Sequence, residues 1–434
     1  MQIISKSLLF LILTVFYLFN ISEIIDINQI IYSEQFGVSD VTGTLDNIKK
    51  YILYLNNVEK DMAFFYFSNK GILEIINPII VFNNLLFDDD YISIYQYSFL
   101  CINLINLICI FFLFKFFLKN NYISIILSII FMFNPEFDLR LYKGHLNLYM
   151  YFIPILVVLF FEIIIRQNNN YAFISLIILL IFSMIYSQYY FYFSIIFLLI
   201  RKSVNIKFNF NNLNYREYQK YLLFSFIFLI LFLLVLKFII FPTNIFNQIN
   251  LDESRITLSS YFKYSIKNPI EYFIHIPHEY EYNLIYYVFS KFETFKEIII
   301  QYKESILLYG LNTGEFNHKI GLVIPIIIFI YFNLNKSEIY YDKEILYSSI
   351  VIFVITIVPF SIILYIIPYF RVVSRLIIFC DILVFILLGR ALLYFLKAYQ
   401  IKPLYYLLII LIPLSFNIEF FKEKQKTFIY NLNN

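Results

Sequence analysis

Residues 94–118 read IYQYSFLCINLINLICIFFLFKFFL, with a single charged side chain, Lys115, near the end. An α-helix rises about 1.5 Å per residue, so roughly 20 apolar residues cross the hydrocarbon core of a bilayer. This stretch is long enough to do so. It therefore predicts a membrane-spanning helix, and the rest of the chain repeats the pattern.

The composition of the whole chain is that of a helical membrane protein. Of its 434 residues, 61% are hydrophobic and 15% are charged, and the mean hydropathy is +0.75. Soluble globular domains are far less apolar than this. The three cysteines all lie in apolar runs, which favours neither a disulfide framework nor a zinc site. We predict an all-α fold, in which residues 1–434 form one integral membrane domain, a polytopic transmembrane helical bundle.

About eleven segments of the chain are apolar and long enough, or nearly so, to cross the bilayer. Two of them, 121–133 and 189–200, are shorter than a full span needs, so tilted, broken or paired short helices are expected there. The first segment lacks a small-residue cleavage pattern, which favours a retained helix over a signal peptide. The predicted spans are 5–23, 94–118, 121–133, 148–165, 171–186, 189–200, 221–241, 320–333, 346–367, 376–395 and 403–418.

The uneven distribution of Lys and Arg predicts the orientation. With a cytoplasmic N-terminus, nearly every cytoplasmic connection is basic, whereas the opposite orientation would place this excess outside. We therefore predict exported loops at about 24–93, 134–147 and 242–319, and a short exported turn at 368–375. The basic residues of the cytoplasmic connections are Lys115, Lys119, Arg166, Arg201, Lys202, Lys207, Arg216, Lys220, Lys336, Lys343, Lys397 and Lys402.

The exported loop 134–147 reads NPEFDLRLYKGHLN and is the densest group of ionisable residues between two apolar runs. Charges at the edge of a bilayer cost several kcal/mol unless they are solvated or paired, so such a group is a candidate site. A solvated loop between two spans is the alternative, and both stay open. The ionisable residues of the loop are Glu136, Asp138, Arg140, Lys143 and His145.

Two pairs of exported cations break the positive-inside bias, and each needs a counter-ion or an anionic ligand. Acids within the same loop can serve Arg140 and Lys143, whereas Arg371 and Arg375 have only Asp381 close by in sequence. Residues four apart share a helical face, and paired guanidinium groups suit a phosphate. An anionic ligand is therefore the favoured interpretation.

The first exported loop contains further acids. Asp40 follows the turn sequence FGVSD, where an Asx-turn would also explain it. Asp46 begins an apparent helix, 46–55, so an N-cap role is its simplest explanation. The run Asp88-Asp89-Asp90 is interpreted as a solvated helix start, with metal binding as the less favoured alternative.

The order of these motifs resembles the GT-C superfamily of polytopic membrane glycosyltransferases, in particular its bacterial YfhO-like branch. The resemblance covers most of the chain. In chain order, the shared features begin with a first span, an exported loop with an acid and a second exported loop with an acidic pair. An aromatic hairpin, a large exported loop and an Arg-containing late segment follow. The corresponding residues are Asp40, Glu136-Phe137-Asp138, Lys143-Gly144-His145, SQYYFYF at 187–193, GEFNHKIGLVIPII at 314–327 and RVVSRLIIFCDILVF at 371–385.

This resemblance implies transfer of a sugar, by an inverting reaction, from a polyprenyl-phosphate-type carrier to an acceptor on the outer face of the membrane. It gives Asp40 the role of base, with Asp46 as the alternative, and it gives Glu136 and Asp138 an assisting or metal-holding role. The binding of carrier and phosphate would fall to Arg140, Lys143, His145, Arg371 and Arg375. The one cofactor left open is a divalent cation, Mg²⁺ or Mn²⁺.

The same resemblance implies a bacterial cytoplasmic (inner) membrane location and a role in cell-envelope polysaccharide biosynthesis. The expected partners are a polyprenyl-linked sugar donor, a glycan, lipid or protein acceptor and the bilayer, without nucleic acid. The chemistry is coherent on general grounds, because a carboxylate activates the acceptor hydroxyl and cations stabilise the leaving phosphate. A lipid carrier also requires a site at the bilayer edge.

Other functions stay as alternatives. An O-antigen-type polymerase or ligase would share the many spans, the large exported loop and the exported arginines. A flippase for lipid-linked oligosaccharide would carry charges within its spans, whereas Glu162, Lys237, Asp381 and Arg390 are near span ends or isolated. The group formed by His275, His278 and Glu279 fits no standard zinc spacing. The chain has no P-loop, GxGxxG, GxSxG or HExxH motif.

Overall fold

The structure is a computed structural model that describes residues 78–87, 91–132, 149–209, 323–335, 340–357 and 373–399. This part of the chain is helical throughout and contains no β-strand. A short 3₁₀ turn, Val373–Leu376, leads into the last helix. The helices are α1 (Pro78–Phe87), α2 (Tyr91–Leu118), α3 (Asn121–Met132), α4 (Phe152–Gln167), α5 (Asn170–Tyr186), α6 (Gln188–Asn209), α7 (Val323–Leu334), α8 (Tyr340–Thr356) and α9 (Ile377–Tyr399).

The predicted all-α fold is confirmed for the described residues, and two of their helices are long and apolar enough to cross a membrane. These segments are Ser93–Leu118 in α2 and Ile377–Ala398 in α9. Shorter apolar helices lie at Asn121–Met132, Asn170–Met184 and Ile324–Leu334. The count of about eleven spans stays a prediction, since the segments 5–23, 221–241 and 403–418 lie outside the described residues.

One face of α2 presents a stripe of large apolar side chains to the outside of the bundle. Leu104, Ile108 and Phe112 follow one another at intervals of four and are 47%, 53% and 52% exposed. Residues four apart lie above one another on a helix, so these side chains form one continuous surface. Water would penalise such a stripe, whereas lipid chains would solvate it. Its position agrees with a helix at the lipid boundary.

Two asparagine corners end one helix and begin the next. Lys119, with φ of 52°, ends α2, and the side chain of Asn120 accepts hydrogen bonds from the backbone of Tyr122 and Ile123 in α3. Asn168, with φ of 49°, ends α4, and Asn169 caps α5 in the same way. An Asn side chain caps exposed N–H groups well, and Asn168 also tolerates the left-handed region. Each capping asparagine therefore pairs two of the N–H groups that the following helix leaves open at its start.

Helix α9 is the core of the bundle, and it packs against α2, α3, α4, α7 and α8. Every residue from 375 to 389 is buried. Gly389 lies against Leu118 and Leu127, where an added Cβ would come within 2.6 Å of a Leu118 methyl. The ring of Phe385 meets Phe131 edge to face, and Phe379 stacks on Phe197.

The two ends of the bundle differ in chemistry. At the first end, α4 and α6 begin beside Tyr149 and Tyr190; we call it the tyrosine end. At the other, α4, α6 and α9 end and α8 begins, and buried Arg and acidic side chains meet there; we call it the ionic end. In the predicted orientation, the tyrosine end faces outside and the ionic end faces the cytoplasm.

Three helices differ from the sequence prediction. Helix α1 lies within the predicted exported loop 24–93, and its Asn83 side chain donates to the hydroxyl of Ser98 on α2. Helix α6 continues to Asn209, beyond the predicted span 189–200. Helix α8 begins at Tyr340, ahead of the predicted span 346–367, and the carboxylates near its start, Asp342 and Glu344, are buried against other helices.

Candidate functional site

The tyrosine end fixes the place where the charged loop 134–147 returns to the bundle. Tyr149, two residues after that loop, donates its hydroxyl to the side chain of Asn103 at 2.9 Å. The Asn106 side chain donates to the Tyr149 carbonyl at 2.9 Å and accepts the backbone N–H of Phe152 at 2.7 Å. The buried Asn106 side chain thereby pairs the N–H of Phe152, one of the donors that α4 leaves open at its start. The entry to α4 is thereby held against α2.

Aromatic contacts connect this entry to two other segments. The Tyr151 ring lies 6.0 Å from the Tyr190 ring, at the start of α6. The guanidinium carbon of Arg375 lies 4.4 Å from the ring centre of Tyr189. Arg375 is 8% exposed, so this cation–π contact is largely removed from water and is worth about 2 kcal/mol. We call Tyr149, Tyr151, Tyr189, Tyr190 and Arg375 the Arg375 cluster.

A guanidinium group carries a permanent positive charge and planar N–H donors, which suit the oxygens of a phosphate or carboxylate. The guanidinium group of Arg375 lies over the Tyr189 ring, and its low exposure keeps the charge away from bulk water. The Arg375 cluster therefore combines a buried cation with aromatic side chains at one end of the bundle.

The structure brings together three segments that the sequence had singled out separately. The aromatic segment 187–193 and the late segment 371–385 meet through Tyr189 and Arg375. The end of the charged loop joins them through Tyr149 and Tyr151. Of the predicted site residues, Arg375 alone is among the described residues. The others, Asp40, Glu136, Asp138, Arg140, Lys143, His145 and Arg371, lie outside them.

The ionic end contains a cluster of charged side chains from several helices. The sequence does not predict that these side chains meet. Arg201 on α6 is fully buried, and its Nε donates to Glu162 on α4 at 2.7 Å. Its Nη1 donates to Glu344 on α8 at 3.2 Å, and Asn205 donates to the same carboxylate at 3.2 Å. One arginine thus ties three helices together, at sequence separations of 39 and 143 residues.

Tyr341, in the first turn of α8, lies between these charges. Its hydroxyl donates to Glu162, and the guanidinium group of Arg166 lies 3.7 Å from its ring centre. Arg201 and Arg390 lie 5.6 and 5.9 Å from the same ring centre. A tyrosine ring attracts cations through its face. Tyr341 therefore holds three arginines near one another while the carboxylates offset their charge.

Two side chains of this group lie outside the predicted spans and have shifted pKa values. Loss of hydration raises the pKa of the Tyr341 phenol well above its ordinary value, and the Glu162 carboxylate adds to the rise. Burial lowers the pKa of Arg201, but the attraction of Glu162, Tyr341 and Glu344 outweighs it, and the net shift is upward. Tyr341 is therefore a neutral donor, and Arg201 stays charged.

Asp342 completes the group on the other side of α8. It is 1% exposed, forms an ion pair with Arg390 on α9 and accepts the hydroxyl of Tyr331 on α7. Three carboxylates thus face three arginines, so the group is neutral overall. We call it the ionic network; its members are Glu162, Arg166, Arg201, Tyr331, Tyr341, Asp342, Glu344 and Arg390.

The sequence indicates only a small part of the ionic network. The sequence indicates that Glu162 and Arg390 are near span ends or isolated, whereas each forms an ion pair with a side chain of another helix. The spacing of Glu162 and Arg166, four residues apart on one helix, was the one local cue. The remaining ion pairs join segments that are distant in sequence, and no local pattern predicts them.

The described residues contain no group of three or more His, Cys, Asp or Glu side chains able to hold a metal ion. The predicted metal-holding pair, Glu136 and Asp138, is outside those residues. Comparison with models of known protein families, with curated proteins and with solved structures found no match to this chain.

Proposed function

We propose that this protein is a membrane glycosyltransferase of GT-C type, which moves a sugar from a polyprenyl-phosphate-type carrier to an acceptor at the tyrosine end. One observation carries the proposal: Arg375 and Tyr189 meet at the end of the bundle where the charged loop 134–147 joins α4. This contact brings a buried cation and the ends of the motif-bearing segments together at one end of the bundle, as a site on one face of the membrane would require.

In the proposed reaction, different segments supply the base, the cations that stabilise the phosphate and the acids that orient the acceptor. Asp40 removes a proton from the acceptor hydroxyl as the hydroxyl oxygen attacks the sugar. The bond between sugar and phosphate breaks, and the charge that grows on the phosphate is stabilised by Arg375 and Arg371. Glu136 and Asp138 orient the acceptor or hold a divalent cation. The polyprenyl chain remains among the lipids.

The apolar surroundings of the Arg375 cluster support a lipid-linked donor. Arg375 is followed directly by the buried apolar residues Leu376 and Ile377, at the start of a helix long enough to cross the membrane. A soluble sugar nucleotide would gain nothing from this position. A carrier phosphate, in contrast, is confined to the bilayer edge by its own tail, which favours encounter with a cation held there.

The predicted orientation can be tested by cysteine labelling in a variant without the native cysteines. An impermeant reagent added outside is expected to label Ser39→Cys and Ser254→Cys but not Ser203→Cys, because the basic connections stay in the cytoplasm. Ser203 is exposed at the ionic end, so it should react once the membrane is opened. Labelling of Ser203→Cys alone from outside would reverse the scheme and move the Arg375 cluster to the cytoplasm.

The role of Arg375 can be tested with a short-chain polyprenyl phosphate and purified protein. Arg375→Ala is expected to lower carrier affinity roughly ten- to a hundredfold, since one charge-assisted pair is lost. Arg375→Lys keeps the charge but not the planar fork, so an intermediate loss is expected. Arg371→Ala should behave alike if both arginines contact the phosphate.

The matched control is the corresponding polyprenol, which has the same tail without the phosphate. Its affinity should be the same for wild type and Arg375→Ala. Each variant should also elute as a monodisperse species, which separates loss of the ligand contact from loss of the fold. Unchanged carrier affinity in the Arg371→Ala, Arg375→Ala double variant would reduce both arginines to structural roles and remove the main support for a phosphate-linked donor.

A further inference from the structure

The acids of the described residues lie in the interior, whereas four of their lysines lie at the surface. All four described acids, Glu162, Asp342, Glu344 and Asp381, are at most 4% exposed. At the ionic end, by contrast, the lysines of the helix termini are exposed and make no ion pair with a described carboxylate. We call them the lysine rim: Lys115, Lys119, Lys343 and Lys397.

The ionic network explains this sorting. Its three carboxylates are held inward by three arginines and two tyrosine hydroxyls, so they contribute little negative potential at the surface. Helix α8 shows the division most clearly: Asp342 and Glu344 are buried, and Lys343 between them is exposed. The accessible charge contributed by these helix ends is therefore positive, although three carboxylates lie at the same end.

The apolar neighbours of the rim show where it lies relative to lipid. Phe112, one turn before Lys115, is 52% exposed, and Tyr347, one turn after Lys343, is 49% exposed. Residues three or four apart share a helical face. A lysine beside an exposed aromatic side chain can rest its stem on apolar surface and extend its amine to the headgroup level.

We propose that the lysine rim binds the headgroups of anionic phospholipids and that the ionic network keeps the rim cationic by burying the acids. The ligand chemistry is a phosphodiester on a diacyl lipid: the phosphate pairs with the lysines and the acyl chains cover the adjacent apolar stripe. This inference is independent of the proposed glycosyl transfer, because it concerns the opposite end of the bundle.

The test uses full-length protein in neutral detergent, titrated with short-chain phosphatidylglycerol and, in parallel, with phosphatidylcholine. Wild type is expected to bind the anionic lipid at least about tenfold more tightly. Each lysine near such a headgroup contributes an electrostatic attraction worth roughly a fivefold change in affinity. The fourfold variant Lys115→Gln, Lys119→Gln, Lys343→Gln, Lys397→Gln should lose this preference. The preference of wild type should also fall as salt is raised.

The matched control is the fourfold Lys→Arg variant, which keeps every charge and should retain the preference. Equal affinity of wild type for both lipids would overturn the proposal, as would a preference that survives in the fourfold Lys→Gln variant. Competition by inorganic phosphate at the same concentration as the lipid would also overturn it, because the site would then be a free-phosphate site. A circular-dichroism spectrum shows whether the Lys→Gln variant is folded; if it is not, single Lys→Gln variants replace it, and each should lose part of the preference.

Discussion

Arg201→Met is expected to destabilise the protein by roughly 3–5 kcal/mol, the cost of removing one partner from a buried ion pair. Arg201 is fully buried and donates to both Glu162 and Glu344. Without it, two carboxylates remain in a poorly hydrated position with too little positive charge beside them. Methionine has a similar length and fills most of the volume, so the loss is electrostatic more than steric. Unfolding of purified protein by a denaturing detergent measures the change.

A triple variant separates this explanation from simple loss of packing. Arg201→Met combined with Glu162→Gln and Glu344→Gln removes all three charges and keeps acceptors for Tyr341 and Asn205. We expect it to recover most of the stability, since a neutral replacement of a buried ion pair is often tolerated. If Arg201→Met alone unfolds like wild type, or if the triple variant is less stable still, the network does not hold these helices together.

Asp40→Asn is expected to reduce sugar transfer by about 10²- to 10⁴-fold, the contribution of a positioned general base. Asparagine has nearly the same shape but cannot accept the proton, so the loss should appear in turnover and leave carrier binding close to that of wild type. Release of free polyprenyl phosphate from lipid-linked sugars extracted from the producing cells measures it without knowledge of the acceptor. Glu136→Gln and Asp138→Asn should cost less if they orient the acceptor or a metal.

Asp46→Asn is the matched control for this experiment, since it lies six residues away in the same predicted loop. An N-capping residue should affect stability slightly and turnover little. Full activity in Asp40→Asn together with an inactive Asp46→Asn would transfer the role of base to Asp46. Full activity in both variants would leave the first exported loop without a base and would refute the proposed mechanism.

Where apolar burial alone determines where a helix begins and ends, the bounds of the described helices agree closely with the apolar runs of the sequence. Predicted spans 94–118, 171–186 and 376–395 correspond to α2, α5 and α9 within a few residues. Long apolar runs specify helices in lipid because every backbone group must be bonded within its own segment. The asparagine corners after α2 and α4 end these runs by local chemistry that a sequence displays directly.

Where ion pairs determine which residues are buried, the sequence alone does not predict where a helix begins. The predicted span 346–367 leaves out Tyr341, Asp342 and Glu344, although α8 includes all three and buries the two carboxylates. Tyr341 and Glu344 contact α4 and α6 at sequence separations of 179 and 143 residues, and Asp342 pairs with Arg390 on α9. For the tyrosine end, the sequence indicates Arg375 and the segment 187–193 separately, but not the cation–π contact between Arg375 and Tyr189.

The central claim, a phosphate-linked lipid donor at the tyrosine end, is tested most directly by carrier binding, because this requires neither the sugar nor the acceptor to be known. The measurement compares a short-chain polyprenyl phosphate with its polyprenol on purified wild-type protein. We expect saturable binding of the phosphate, at least about tenfold tighter than that of the polyprenol, and loss of this difference in the Arg371→Ala, Arg375→Ala variant. Equal binding of the two lipids by wild type, or a phosphate preference that persists in the variant, would contradict the claim.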